Sequence, residues 1–127
     1  MKYMRFEETP IWQESRTFVS LVYDIINLNK VLKNDFSLCD QLKRASYSVM
    51  LNIAEGFERG SNKDFAHFLD FAKGSAGEVR SIIYIMVDNK YINTEQFKKM
   101  VEKIENISTQ LANFKKYLVK NNFKKKF

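Results

Sequence analysis

The segment NIAEGFERGSNKDF, residues 52–65, has the composition of a phosphate-binding loop, because it combines two glycines with an arginine, a serine and a lysine. A nucleotide-binding P-loop needs four residues between its glycines, a lysine followed directly by serine or threonine, and a preceding strand. Here three residues separate Gly56 from Gly60, and Lys63 follows three positions later. The spacing instead predicts a joint between two helices, with Gly60 at positive φ and Ser61 as the cap of the second helix.

A second group with possible chemistry is Asp64, His67 and Asp70, which repeat every third residue and include the only histidine. Their directions on a helix spread over about 120°, so one metal ion could hardly bind all three, and a solvated helix face is the simpler interpretation. Cys39 is the only cysteine, and no third group is placed by the sequence to orient it beside the histidine. We therefore expect no catalytic residues, no metal and no cofactor, which means that the protein is not an enzyme.

The composition indicates one intracellular domain. A chain of 127 residues can bury a substantial core but not two, and a single cysteine excludes an internal disulfide, which favours a reducing compartment. The amino-terminal residues MKYMRFEETP lack the apolar stretch of a secretory signal. No apolar run approaches the ~20 residues that span a bilayer. These features predict a soluble protein of the cytoplasm.

Four amphipathic segments account for nearly all residues, and no stretch alternates with the period of a strand. Because the connections between them are short, neighbouring helices must be antiparallel, and we predict an all-α, up-down-up-down four-helix bundle. The helices are expected at about residues 9–31, 37–58, 62–88 and 94–120, followed by a basic tail at 121–127.

Two helix starts have recognisable caps. Thr9 is a plausible N-cap before Pro10, whose missing N–H costs nothing in the first helical position. Ser37 and Asp40 have capping-box spacing at the start of the second helix, with aspartate in place of the usual glutamate or glutamine.

The net charge of +6 is concentrated at the end of the chain. Residues 1–105 carry 15 basic and 15 acidic side chains, whereas residues 106–127 carry lysines and no acid. Such an end attracts polyanions, and the interleaved rings of Tyr117, Phe123 and Phe127 could stack on unpaired bases. The alternative is a solvated terminus whose lysines only maintain solubility. The lysines in question are Lys115, Lys116, Lys120, Lys124, Lys125 and Lys126.

Basic residues of the second and third helices are further candidates for phosphate contacts. Lys73 and Arg80 lie within about 20° of each other on the third helix, so they could form one basic strip. The sequence alone does not place this group on the same face as the terminal lysines. Its members are Lys43, Arg44, Arg59, Lys63, Lys73 and Arg80.

The second helix has an apolar stripe opposite its core face, although a helix in an isolated bundle needs only one. An exposed second stripe is typical of a partner surface. The third helix has two interior glycines, each costing about 1 kcal/mol relative to alanine. Close approach of another backbone would explain that cost, through either a tight crossing inside the bundle or a neighbouring subunit. The predicted oligomer interface comprises Tyr47, Met50, Leu51, Ala54, Gly74 and Gly77.

The chain contains six short motifs that are also found together in one known family. They are IWQ at 11–13, QLKRA at 41–45, NIAEG at 52–56, RGS at 59–61, KDF at 63–65 and AKGS at 72–75. With these motifs the chain resembles the four-helix-bundle proteins encoded in intervening sequences of bacterial large-subunit (23S) ribosomal RNA genes. The family includes the accessory variability determinant of diversity-generating retroelements, which works with a reverse transcriptase and nucleic acid. The resemblance covers about residues 6–120 and implies a ribosomal-protein-like four-helix bundle, assembled as a ring-like homopentamer, without a defined activity for most members.

Two functions are compatible with these observations. The first is a non-enzymatic oligomer that contacts RNA or DNA backbones through basic residues without reading sequence. The alternative is a protein-binding adaptor or scaffold whose second apolar face serves oligomerisation and partner docking. Salt dependence separates them, because binding to phosphates weakens steeply with added salt and an apolar interface need not.

Overall fold

The computed structural model describes residues 3–121, in which every regular element is helical. Phe123, Lys124, Lys125, Lys126 and Phe127 of the predicted basic tail lie outside the described residues. A short 3-10 helix, Phe6–Glu8, comes before the first α-helix. The α-helices are α1 (Pro10–Asn27), α2 (Lys30–Lys33), α3 (Phe36–Arg59), α4 (Asn62–Asp88) and α5 (Thr94–Lys120).

The four long helices form the predicted all-α bundle. α1 and α4 each pack against both α3 and α5, so the helices close around one core. Contacts join the beginning of one helix to the end of its neighbour, as in the ion pair between Asp70 of α4 and Lys115 of α5. Neighbouring helices are therefore antiparallel. The core extends from Ile11 and Leu118 at one end of the bundle to Ile26 and Met86 at the other.

The first helix ends earlier than predicted, at Asn27 instead of residue 31. The cause is Asn29, whose side-chain oxygen accepts a hydrogen bond from the Leu32 N–H (3.0 Å) and thereby caps the separate turn α2. Its amide nitrogen donates to the Tyr91 carbonyl (2.6 Å), which fixes this corner to the α4–α5 connection. An asparagine with both of its groups engaged in this way favours a cap over a continuing helix.

The predicted cap of the second helix was wrong. Asp35, not Ser37, is the N-cap of α3, since its Oδ1 accepts a hydrogen bond from the Leu38 N–H (3.1 Å). The other oxygen of Asp35 accepts from the Tyr91 hydroxyl (2.9 Å), and this hydrogen bond raises the pKa of Tyr91. At the start of α1, Pro10 occupies the first position as predicted, but the Thr9 hydroxyl donates to the Phe6 carbonyl instead of capping.

The joint between α3 and α4 has the predicted conformation. Gly60 ends α3 with a φ of 84°, and Ser61 caps α4 by accepting a hydrogen bond from the Asp64 N–H (3.1 Å). One turn earlier, Gly56 is buried against α4. A Cβ atom at Gly56 would lie 2.7 Å from the Phe68 Cβ and 2.9 Å from the Phe65 Cδ1, so only glycine fits this contact.

We predict that Gly56→Ala is less stable than Gly77→Ala by about 1–3 kcal/mol, the usual cost of overpacking a core. Both variants gain the same helix propensity, and a Cβ at Gly77 would meet nothing within 4 Å in its own chain. At concentrations too low for contact between subunits, their difference therefore isolates the contact with Phe65 and Phe68. Urea unfolding of the two variants measures it. Equal unfolding midpoints would contradict the role given to Gly56.

Candidate nucleic-acid interface

Five of the predicted cations lie together where α4 packs against α5. Lys73 and Arg80 are seven residues apart on α4 and therefore share one face of it, two turns apart. Two adjoining surface grooves, of about 610 and 490 Å³, run between the helices, and Lys73 and Lys116 line both of them. We call this surface the basic seam and define it by Lys73, Arg80, Lys115, Lys116 and Lys120.

Two of the seam cations are paired with acids. The Lys115 ammonium lies 2.9 Å from the Asp70 carboxylate, and the Arg80 guanidinium lies 3.1 Å from the Glu105 carboxylate. Lys73, Lys116 and Lys120 have no ion pair with any side chain in residues 3–121. Five cations and two carboxylates leave the seam with a net charge of +3. Three exposed lysines can therefore bind an external anion without breaking an internal pair.

The opposite side of α5 has the other sign of charge. The groove between α1 and α5 is lined by three acids and two lysines, a net charge of −1. Of the grooves beside α5, those towards α4 are therefore net positive and the one towards α1 is net negative. These charged residues are Glu14, Asp24, Lys99, Glu102 and Lys103.

The remaining predicted cations of α3 do not join the seam. Lys43 lies over the Tyr23 ring of α1 (4.9 Å to the centroid). Arg44 pairs with Asp40 at 2.9 Å, and this hydrogen bond raises the pKa of the guanidinium. These residues have partners on α1 and on α3 itself.

Arg59, the cation in the last turn of α3, also has partners within the chain. Arg59 makes an ion pair with Glu55 at 3.0 Å and lies 4.9 Å from the centroid of the Phe68 ring. Lys63 is exposed in the first turn of α4, outside the residues that line the seam. Within residues 3–121 the predicted cations outside the seam therefore lie in two further places, near the start of α3 and at the joint between α3 and α4.

The predicted apolar stripe of α3 is less exposed than expected. Tyr47, Met50 and Ala54 are half-buried, and they follow Lys43, which contacts α1, at helical spacing. Only Leu51 of the four is exposed, at 56%. Because α1 covers part of this side of α3, the apolar surface that solvent can reach is centred on Leu51.

The two interior glycines of α4 do not serve a tight crossing inside the bundle. Gly74 and Gly77 are both exposed, and a Cβ at either position would meet nothing within 4 Å. That alternative was wrong for this chain. Contact with a neighbouring subunit is the other predicted explanation for placing two glycines, with their low helix propensity, inside α4.

Sequence reasoning missed the two acids of the seam. Asp70 was assigned to a solvated helix face, but it binds Lys115 of the adjacent helix. The available signal was its spacing of three residues from Lys73, which puts both on neighbouring positions of one face. No comparable signal exists for Glu105, because its partner Arg80 is 25 residues away in the sequence.

The two candidate reactive side chains have ordinary structural surroundings. His67 packs edge-on against Phe71, with 4.6 Å between ring centroids. Cys39 is buried, its thiol donates to the Leu32 carbonyl (3.1 Å), and burial raises the pKa of the thiol. Within residues 3–121 no three histidine, cysteine or acidic side chains are grouped to hold a metal ion.

None of the helices among residues 3–121 combines the length and apolar character that a membrane span requires.

Comparison with known proteins identifies relatives of this fold. The family model of the 23S rRNA-intervening sequence protein matches residues 7–113. A crystal structure of a protein of unknown function from the S23 ribosomal protein family of Bacteroides thetaiotaomicron is similar, with a TM-score of 0.77 and 22% sequence identity. The similarity covers 84% of this chain and 98% of the other. No protein with a curated description matches the chain.

We predict that the double variant Asp70→Asn/Glu105→Gln binds a heparin column more tightly than the unmodified chain, because it frees Lys115 and Arg80. The free energy of unfolding should fall by less than about 1 kcal/mol for each pair, since both pairs are exposed. Asp24→Asn/Glu102→Gln is the matched control, because it removes the same charge from the groove between α1 and α5. An equal shift in elution for both double variants would show that net charge, and not the seam, determines retention.

Proposed function

The chain belongs to the 23S rRNA-intervening sequence protein family, and we propose that it is a non-enzymatic protein that binds RNA or DNA backbones through the basic seam. The observation that carries the proposal is the set of three seam lysines without an acidic partner, Lys73, Lys116 and Lys120. Each lysine that neutralises a phosphate releases a condensed counterion, which is the main source of affinity in binding without sequence readout. The motif resemblance to the accessory variability determinant of diversity-generating retroelements agrees with a nucleic-acid partner.

The chemistry of the seam favours backbone contacts over base recognition. Reading a base edge usually requires a bidentate group such as arginine, asparagine or glutamine. The one arginine of the seam, Arg80, is held by Glu105 at 3.1 Å. The unpaired cations are lysines, which act as point charges on flexible stems. We therefore expect affinity for many sequences with little preference among them.

Assembly would multiply this weak binding. We propose a cytoplasmic homo-oligomer, in the form of the ring-like homopentamer that the motif resemblance implies. Linked copies of one weak site gain avidity without any new contact. Leu51, Gly74 and Gly77 are exposed on the outer faces of α3 and α4, where a neighbouring subunit could approach.

A specific observation favours the adaptor as the second candidate. Three apolar residues close together in the sequence, at the end of α1, in α2 and at the start of α3, are exposed to solvent. They are Leu28 (87%), Val31 (68%) and Phe36 (77%). Exposed apolar side chains in one place are typical of a protein-binding surface. Binding through these residues would be insensitive to salt, which distinguishes it from binding through the seam.

We predict that the triple variant Lys73→Gln/Lys116→Gln/Lys120→Gln loses affinity equally for RNA and DNA of any sequence. Each lost phosphate contact should flatten the plot of log affinity against log salt by about 0.9 on duplex DNA or about 0.7 on a single strand. Fluorescence anisotropy with mixed-sequence oligonucleotides over a salt series measures the slope.

The control for this variant is Lys99→Gln/Lys103→Gln, which removes two positive charges from the acidic side of α5. It should leave the slope nearly unchanged. If the unmodified chain binds no nucleic acid at low salt, the proposal fails and the adaptor becomes the better candidate.

We also predict that Leu51→Glu shifts the assembly towards smaller species while helix content stays the same, because this side chain is 56% exposed. Light scattering and circular dichroism measure the two effects. Val31→Glu is the control, since it places the same charge at an exposed apolar position on α2. A monomeric wild-type protein at micromolar concentration would refute the oligomer.

A further inference from the structure

An aromatic pocket lies at the end of the bundle where α1 begins and α5 ends. It has a volume of about 320 Å³, and no charged side chain lines it. Three aromatic rings and two aliphatic side chains form an apolar interior, and two amides supply hydrogen-bonding groups. These residues, which define the aromatic pocket, are Tyr3, Pro10, Ile11, Gln110, Asn113, Phe114 and Tyr117.

The rings are held by the core. Phe114 packs against the fully buried Phe65, with 5.3 Å between ring centroids. Around it, Tyr3 lies at 6.4 Å with its plane tilted by 44°, and Tyr117 lies at 6.0 Å with its plane at 74°. Tyr117 is 37% exposed. A planar ligand could therefore reach an aromatic face from solvent without disturbing the core.

The amides give the pocket a polar edge. The Gln110 amide nitrogen donates to the Glu14 carboxylate at 2.6 Å, which fixes the orientation of this amide. The Asn113 side chain is exposed and makes no hydrogen bond with the other residues that the structure describes, so its amide can rotate to donate or to accept. One fixed and one adjustable amide suit a planar ring with donors and acceptors on its edge.

The aromatic pocket adjoins the basic seam. Asn113 lines both the pocket and the seam groove that contains Lys116. Tyr117 follows Lys116 in the sequence, and Lys120 lies one helical turn beyond Lys116. A ligand with a planar ring in the pocket and a negative charge a short distance away would meet both surfaces at once. Nucleotides in a chain have this combination.

We propose that the aromatic pocket takes one unpaired nucleobase of a single-stranded RNA or DNA whose phosphates lie along the basic seam. The inference rests on the proposed function and specifies its substrate, because the bases of a duplex are paired and stacked and cannot enter the pocket. The volume is at the small end of the range of ligand pockets, which suits a single ring system. Stacking on tyrosine and phenylalanine tolerates any base, in agreement with binding that lacks sequence preference.

The test compares two single strands of equal length and phosphate count, one with bases and one abasic, by fluorescence anisotropy with the full chain. We expect the strand with bases to bind roughly 5- to 150-fold more tightly, the range for stacking of one base on an aromatic side chain. Tyr117→Ala should remove most of this difference and leave the salt slope unchanged, since no phosphate contact is lost.

Two further variants test whether the preference for strands with bases depends on the aromatic pocket. Tyr3→Ala should have the same effect as Tyr117→Ala, and Tyr3 precedes the first helical turn, so its loss leaves the helices of the bundle intact. Tyr84→Ala is the matched control, because Tyr84 is a 52% exposed tyrosine that packs on Phe97 at the other end of the bundle. It should keep the preference for bases.

The two proposals fail differently. Equal affinity for the strands with and without bases, or a preference that both Tyr117→Ala and Tyr3→Ala retain, would overturn the aromatic pocket as a base site while binding to phosphates stands. Absence of binding to either strand at low salt would overturn the proposed function itself, and this inference with it.

Discussion

The close contact between Gly56 and the aromatic pair Phe65 and Phe68 determines how α3 and α4 lie against each other. A Cβ at Gly56 would be 2.7 Å from Phe68, so the last turns of α3 rest directly on the first turns of α4. Gly60 then reverses the chain with a φ of 84°. This contact fixes the register in which Ser48 and Ser75 share a hydrogen bond (3.0 Å) farther along the pair. The glycine of the NIAEG motif thus has a steric role and not a chemical one.

Local rules of helix formation account for what the sequence predicts well. Apolar periodicity identifies four long helices, the positive φ of Gly60 requires glycine, and Ser61 caps the helix that it precedes. The same rules fail where a distant residue decides the local structure. The end of α1 depends on Asn29, whose amide binds the carbonyl of Tyr91, 62 residues away. No window of sequence around residue 29 contains that partner.

In the candidate site too, local sequence predicts some features, while others depend on residues that are distant in the sequence. A helical projection gives the direction of each cation on its own helix, and it correctly put Lys73 and Arg80 on one strip. It also shows that Arg44 and Arg59 each have an acid four residues earlier on their own helix. It does not say which neighbouring helix the strip faces, so it could not show that Arg80 and Lys115 are paired with acids of the adjacent helix. Charge counted along the chain overstates a site, because only the folded arrangement shows which charges are already neutralised.

The scaffold and the charge occupy different parts of the chain. The family model ends at residue 113, and three of the five seam cations, Lys115, Lys116 and Lys120, lie beyond it on the last turns of α5. Gly56 and the core contacts of α3 and α4 lie within the matched region. Exposed lysines contribute little to folding stability, so substitutions among them change it by less than about 1 kcal/mol. Affinity for a polyanion can therefore change between members of such a fold while the bundle that presents the charges stays the same.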